Sequence, residues 1–339
     1  MDSFGFAIWG CGAVSSTHAD AIRSIDGARL VGAYDINGES LNSFCNKYDV
    51  EAFTEPDEML TDGRIDAICI CLPSGLHYET ALSCIERGKN VVIEKPIALN
   101  SEQAEEIVKR ADENGVFVTV ISQLRYSRSI MRVKNIVESG KLGRITLGNA
   151  IMKYWRSPEY YASSPWRGTW GMDGGGALMN QGIHGVDLLQ YFMGRVVSVF
   201  AYAKTLVHNI YTEDTLSAVV EFESGAIGTI QATTSVAPGY GRRIEICGSK
   251  GSIALCEGDI EICDVEGEEI PLKDKDDLYD TASVPGNMDC KLHAAQLSDF
   301  IRSVREGEKP LLDAVEGKKS VDIICAIYRS AQTGEKIYL

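Results

Sequence analysis

Up to Ile121 the chain alternates short, continuous apolar runs with stretches of helical periodicity. Continuous hydrophobicity marks strands buried on both faces, as in a parallel sheet covered by helices. The expected strands are Phe4–Trp9, Ala28–Tyr34, Ala67–Leu72, Val91–Ile93 and Val116–Ile121, with a short one near Val50–Phe53. Helices fit between them at Ala13–Ser24, Gly38–Lys47, His77–Glu86 and Ser101–Asn114. The last starts after Asn100, a good N-cap residue. This alternation predicts a doubly wound parallel sheet, an α/β domain over residues 1–122.

Past Gln123 the period changes. A helix around Ser129–Glu138 ends at Gly140, and longer alternating segments follow. They are Arg144–Tyr154, Val196–Leu206, Leu216–Glu223, Ala226–Ser235, Arg242–Cys247 and Ser252–Cys256, with Glu223-Ser224-Gly225-Ala226 a good hairpin turn. Helices are expected from Gly174 to about Met193, near Leu292–Arg305 and over Asp313–Gln332. Residues 123–339 therefore predict a second, α+β domain on an open, mostly antiparallel sheet. The acidic run Glu257–Asp280 is expected to be solvated edge and loop.

Composition narrows the function classes. Net charge is 33 − 48 = −15, which argues against nucleic acid or an anionic membrane as a partner. No segment approaches the roughly 18 continuous apolar residues of a membrane span. The first residues lack a basic n-region, so no signal peptide is expected. The ten cysteines include no C-x-x-C, and no Cys/His spacing reads as a zinc site. No metal is expected; the thiols read as free and mostly buried, as in a reducing cytoplasm.

Gly10-Cys11-Gly12-Ala13-Val14-Ser15 lies between the first strand and a helix. Glycines there permit a tight turn and let backbone N–H groups and a helix N-terminus approach a pyrophosphate. The third position of the G-x-G-x-x-G pattern is Ser15, still small. Asp35 ends the next strand, where a carboxylate accepts ribose hydroxyls and repels a 2′-phosphate. No arginine follows it closely, so NAD is expected ahead of NADP.

Two further motifs carry candidate chemistry. Glu94-Lys95-Pro96 follows a buried strand, putting Lys95 at the crevice where α/β ligands bind. Gly174-Gly175-Gly176-Ala177-Leu178-Met179-Asn180-Gln181-Gly182-Ile183-His184 opens an amphipathic helix. Asn180, His184 and Asp187 share one face of it. Imidazole titrates near neutrality, which suits His184 to acid–base work on an alcohol. Asp187 either orients that imidazole or caps or salt-bridges within the helix. The approach to the helix is rich in aromatics and arginines: Tyr154, Trp155, Arg156, Tyr160, Tyr161, Trp166, Arg167 and Trp170. These either stack on and donate to a sugar or form a packed connection. His18, His208 and His293 have no partner motif and read as structural.

In the order and spacing of these three motifs the chain resembles the glucose–fructose oxidoreductase / inositol dehydrogenase (Gfo/Idh/MocA) family over its full length. Lys141-Leu142-Gly143 and Pro310-Leu311…Glu316-Gly317 extend the likeness. The resemblance implies a Rossmann domain followed by a domain built on an open sheet. It implies an NAD(P)-dependent dehydrogenase oxidising a secondary alcohol of a sugar, cyclitol or sugar derivative, with Lys95 and His184 as acid–base groups. Gly10, Cys11, Gly12, Ala13, Val14, Asp35, the Leu72-Pro73-Ser74 loop with His77, Glu94, Lys95 and Gln123 are expected against the cofactor. Arg125, Tyr126, Tyr154, Trp166, Arg167, Asn180 and His184 are expected against a carbohydrate-like substrate. Asn180 departs from the acidic residue of inositol-dehydrogenase-like members; it can bind a hydroxyl but cannot move a proton. This makes myo-inositol less certain and fits sugar or nucleotide-sugar members. Relatives pair through the open sheet, so a homo-oligomer, dimer or tetramer, is expected. A redox-neutral NAD-dependent glycosidase and a non-catalytic NAD-sensing regulator are the competing functions.

Overall fold

A computed structural model of the chain describes residues 3–268 and 290–339. The fold divides into two units. The first comprises residues 3–123 and 290–318, the second residues 124–268 and 319–339. The C-terminal part of the acidic run, from 269 onward, lies outside the described residues.

In the first unit β1 (Phe4–Trp9), α1 (Ser15–Arg23), β2 (Ala28–Tyr34), α2 (Gly38–Tyr48), β3 (Glu51–Ala52), α3 (Pro56–Thr61), β4 (Ala67–Ile70), α4 (His77–Glu86), β5 (Asn90–Ile93), α5 (Ser101–Asn114) and β6 (Val118–Val120) follow in order. The six strands pair in parallel in the order β3-β2-β1-β4-β5-β6, the doubly wound arrangement expected of the alternating pattern. The Asn100 side chain caps α5 by accepting from the Gln103 N–H at 2.9 Å. The short α3 was not apparent from the sequence; Pro56 starts it at the first turn, where its missing N–H costs nothing.

The second unit contains α6 (Arg128–Glu138), β7 (Ile145–Lys153), α7 (Pro158–Ala162), one turn of π-helix (Ala177–Gly182) and α8 (Ile183–Met193). Strands β8 (Val196–Lys204), β9 (Thr215–Phe222), β10 (Ile227–Thr233), β11 (Arg243–Gly248), β12 (Gly251–Cys256) and β13 (Asp259–Val265) come next. The sheet order is β13-β12-β11-β7-β10-β9-β8, closed by a C-terminal strand at Ile337–Tyr338 beside β8. Every pair is antiparallel except β10 with β7. The start of the acidic run forms the edge strand β13, in keeping with the expected edge.

One boundary differs from the sequence reading. Helix α9 (Lys291–Glu306), expected in the second domain, packs in the first unit. Its apolar stripe of Leu297, Phe300 and Ile301 joins Phe6, Ile8, Ala19, Ile22 and Cys69 in one core. Gln296 on the same face bonds β6: its amide donates to Thr119 Oγ1 (3.0 Å) and Val120 O (2.8 Å) and accepts from the Ser122 N–H (3.1 Å). The last helix, α10 (Ala314–Thr333), starts in the first unit and ends in the second.

Phe300→Ala should therefore destabilise the first unit by about 3–5 kcal/mol, the usual cost of emptying a fully buried aromatic site. Urea denaturation checks this; a loss below about 1 kcal/mol would mean that α9 is not part of that core.

Candidate functional site

The first unit presents its chemistry at the carboxyl ends of its strands. After β1 the chain turns through Gly10, at φ +101°, where a Cβ would come within 2.7 Å of the Cys71 carbonyl oxygen. Only glycine fits so close to a neighbouring strand with that backbone. Gly12 and Ala13 are exposed in the turn. Ser15 starts α1 and its hydroxyl donates to Gly12 O at 2.6 Å. Asp35 Oδ2 accepts the Cys11 N–H at 2.6 Å and Oδ1 the Asn37 N–H at 2.7 Å. One carboxylate thus joins the ends of β1 and β2, with lone pairs left for hydroxyl donors. A hollow of about 380 Å³ lies beside the loop, lined in part by Cys11, Gly12, Ser15, Ser40 and Lys47. Burial and Asp35 push the Cys11 thiol up to about 12, so it stays protonated. This is a cradle that suits a dinucleotide.

After β4 comes Leu72-Pro73-Ser74, and after β5 comes Glu94-Lys95-Pro96. His77 ties these two turns together. It is buried, with Nδ1 2.7 Å from Pro96 O and Nε2 2.9 Å from Leu72 O. Burial lowers its pKa, and its ring is committed to main-chain carbonyls. Lys95 is partly exposed, and the Lys95–Pro96 peptide bond is cis. Glu94 is buried, and His18 Nε2 lies 2.8 Å from its Oε1. His18 and His293 are thus not isolated structural histidines, because both face Glu94. Gln123 is buried in the short turn that follows β6.

In the second unit the glycine-rich lead-in folds as a π-turn running into α8. Such turns recur at functional sites. Glu213 holds it: Oε2 accepts the Gly176 N–H (3.0 Å) and Oε1 the Leu178 N–H (2.8 Å) and the Tyr328 hydroxyl (2.8 Å). A Cβ at Gly176 would run into the Glu213 carbonyl oxygen, which is why glycine stands there. Burial raises the Glu213 carboxyl, and the three donors only partly offset it. Asn180 donates to Asp173 Oδ1, while Asp173 Oδ2 accepts the Gly168 N–H at 2.8 Å. A carboxylate thus remains in contact with position 180 although Asn180 itself is neutral. His184, one helical turn on, is partly exposed.

Gln181 connects this helix to its approach. Its Oε1 accepts from Arg156 Nη2 (2.7 Å) and Nε (3.1 Å), and its Nε2 donates to Tyr160 Oη (2.8 Å) and Asn180 Oδ1 (3.1 Å). Arg167 stacks over the Tyr160 ring at 4.2 Å and over Trp166 at 4.7 Å, and donates to Tyr160 Oη at 2.5 Å. Arg156, Tyr160, Arg167, Gln181 and Asn180 form one continuous polar network.

Two expected substrate residues are placed elsewhere. Arg125 is 1% exposed and pairs with Asp187, Nη2 to Oδ1 at 2.6 Å and Nε to Oδ2 at 3.0 Å, beneath the Tyr191 ring at 4.3 Å. Asp187 thus pairs with a residue outside its own helix rather than within it as expected, and Arg125 is an internal strut. Tyr154 is buried, so it packs rather than lines an open surface. Tyr126 closes the turn after Gln123 and is partly exposed. Asp173, Glu213 and Tyr328 were not singled out from the sequence. Asp173 immediately precedes the three glycines, a visible position; Glu213 and Tyr328 carry no local signal.

A family model described as "Oxidoreductase family, NAD-binding Rossmann fold" matches residues 4–122, and one for the GFO/IDH/MocA C-terminal domain matches 130–254. Among solved structures, the WlbA dehydrogenase from Bordetella pertussis, in complex with NADH and UDP-GlcNAcA, is 34% identical, with TM-score 0.89 and 99% of both chains covered. The Chromobacterium violaceum WlbA dehydrogenase, with the same two ligands, is 32% identical at TM-score 0.89, covering 100% of this chain and 96% of its own. Among curated proteins, the myo-inositol 2-dehydrogenase of Thermotoga maritima is 27% identical, with 97% of each chain covered. The nucleotide cradle, the strand order and these full-length likenesses agree, and the chain belongs to the Gfo/Idh/MocA family of NAD-binding oxidoreductases.

Proposed function

We propose that this chain is an NAD-dependent dehydrogenase that oxidises a secondary ring hydroxyl of a nucleotide-linked sugar acid, a compound of the class held by the Bordetella pertussis WlbA dehydrogenase. The observation that carries this reading is the network of Arg156, Arg167, Tyr160 and Gln181 leading into the His184 helix. In a molecule of net charge −15, an anionic substrate needs locally gathered cations. The Arg167 guanidinium, partly exposed and pre-oriented by Tyr160, suits phosphate and carboxylate oxygens, while the buried Arg156 braces Gln181 behind it. The full-length likeness to the two WlbA dehydrogenases supports the same class.

In this reading the first unit binds the dinucleotide and the second the sugar. Asp35 accepts the adenosine ribose hydroxyls, which favours NAD over NADP. Bound NAD supplies the hydride acceptor. The reacting hydroxyl gives its proton to a ring nitrogen of His184, and Lys95 assists as the second acid–base group. Asn180, held by Asp173 and Gln181, binds a hydroxyl through its amide. Arg125 and Tyr154 leave the substrate set, being committed inside the fold. We take the protein to act as a cytoplasmic homo-oligomer. Cys45, Cys69, Cys71 and Cys84 are buried free thiols. One face of the second sheet exposes Tyr202, Val219 and Ile227 beside Leu147, an apolar area that a second copy would cover.

Absorbance at 340 nm with NAD and UDP-GlcNAcA tests the reading. One NADH per oxidised sugar supports it; turnover only with free cyclitols, or cleavage without NADH, would sink it. With the substrate so identified, Lys95→Ala and His184→Ala should each lower turnover by roughly 10²-fold or more. A near-normal rate in either variant removes that residue from the mechanism. Asp35→Ala should weaken NAD binding by about tenfold, a lost charge-assisted hydrogen bond, and narrow the preference over NADP. An unchanged preference in fluorescence titrations would mean that Asp35 does not touch the ribose.

A further inference from the structure

The Glu94-Lys95-Pro96 turn is gripped from beneath by groups the mechanism above does not use. His18 on α1 and His293 on α9 converge on Glu94, all three buried. His18 Nε2 is 2.8 Å and His293 Nε2 4.0 Å from Glu94 Oε1, and the two rings meet edge to face at 5.5 Å. The other carboxylate oxygen, Oε2, accepts the Lys95 main-chain N–H at 3.2 Å.

Two imidazoles and a carboxylate resemble a metal ligand set, but the outer contacts speak against one. A metal-bound histidine hands its other ring N–H to an acceptor. Among the described residues neither His18 Nδ1 nor His293 Nδ1 has a hydrogen-bond partner, and both are buried. A proton on His18 Nδ1 would be stranded, so the ring carries its proton on Nε2 and donates it to Glu94. Burial, with His18 beside it, pushes His293 down to about 4, so that ring is neutral and fills space next to the pair. Burial also works against charge on Glu94, but the His18 hydrogen bond and the electrostatic pull of His18, then of His293 and last of Lys95, outweigh it and lower the carboxyl.

We propose that His18 is a positioning residue for the reaction: its Nε2–H fixes the Glu94 carboxylate, whose far oxygen holds the Lys95 main chain and so sets where the Lys95 amine reaches. On the opposite side of the turn, His77 fixes Pro96 O. Lys95 is thus clamped between two buried imidazoles, one from each of the helices that start after β1 and β4. Misplacing a catalytic group by about 1 Å costs up to 10²-fold in rate, so this clamp bears on turnover more than on binding.

The inference rests on the reading of Lys95 as a reacting group, and the test separates the two. His18→Gln places an amide N–H where Nε2 stands; His18→Asn is equally polar but too short. With NAD and UDP-GlcNAcA, His18→Asn should lower kcat about tenfold or more with KM within about twofold, and His18→Gln should restore kcat to within about threefold. A wild-type kcat in folded His18→Asn, or equal losses in both variants, overturns the proposal. Selective 15N-histidine NMR on the unmodified protein gives an answer even if His18→Asn fails to fold or that substrate is not turned over. One of the five histidines should be locked as the Nε2–H form with a slowly exchanging proton, and its signal should vanish in His18→Gln. A His18 that carries its proton on Nδ1 and none on Nε2 overturns the proposal. Normal turnover in Lys95→Ala, with the His18 signal present, would instead fault the reading of Lys95.

Discussion

The reversal of strand order between β1 and β4 is the constraint on which the first unit depends. Strands on either side of that point send their connections to opposite faces of the sheet, which leaves a crevice at the carboxyl ends. The Gly10 turn, Asp35, the Leu72 loop and the Glu94-Lys95-Pro96 turn all emerge there because each follows a strand. Gly10 shows how little room the arrangement leaves. The chain leaving β1 passes so near Cys71, just past the end of the neighbouring strand, that a single methyl group would collide.

Both units fix their loops by the same physical device, a carboxylate that captures main-chain N–H groups. Asp35 takes Cys11 and Asn37, Asp173 takes Gly168, and Glu213 takes Gly176 and Leu178. Asp214, next to Glu213, accepts from Leu206, Val207 and His208. Irregular backbone has N–H groups that no ladder satisfies, and an ionised acceptor meets several at once. The acidic balance of the sequence is therefore partly structural. Part of the negative charge is turned inward to hold the loops of both units.

What could be read from the sequence followed from local physics. Continuous apolar runs gave the parallel strands, the period change at Gln123 gave the second sheet, and the glycine turns marked both functional loops. Three features escaped because they are set by contacts distant along the chain. Helix α9 is amphipathic, but nothing local says that its stripe meets Phe6 and Ile8 rather than the second sheet. Arg125 reads as a free cation until Asp187, 62 positions away, is seen to take it. His18 and Glu94, 76 positions apart, have no shared motif. A residue type alone announces what chemistry it can do, whereas its partner decides whether that chemistry is offered to a ligand or spent inside the fold.

The Arg125–Asp187 pair has an evolutionary consequence. Each ion is nearly sealed from water, and each meets the other's charge in a bidentate grip. Losing either one alone strands the remaining charge, at a cost of about 3–5 kcal/mol, comparable with the whole stability margin of many domains. A lineage could reach an apolar pair at these positions only by crossing that deficit or by changing both within a short interval. The pair therefore acts as a ratchet, holding the His184 helix to one solution, while the partly exposed approach around Trp166 and Arg167 carries no comparable penalty.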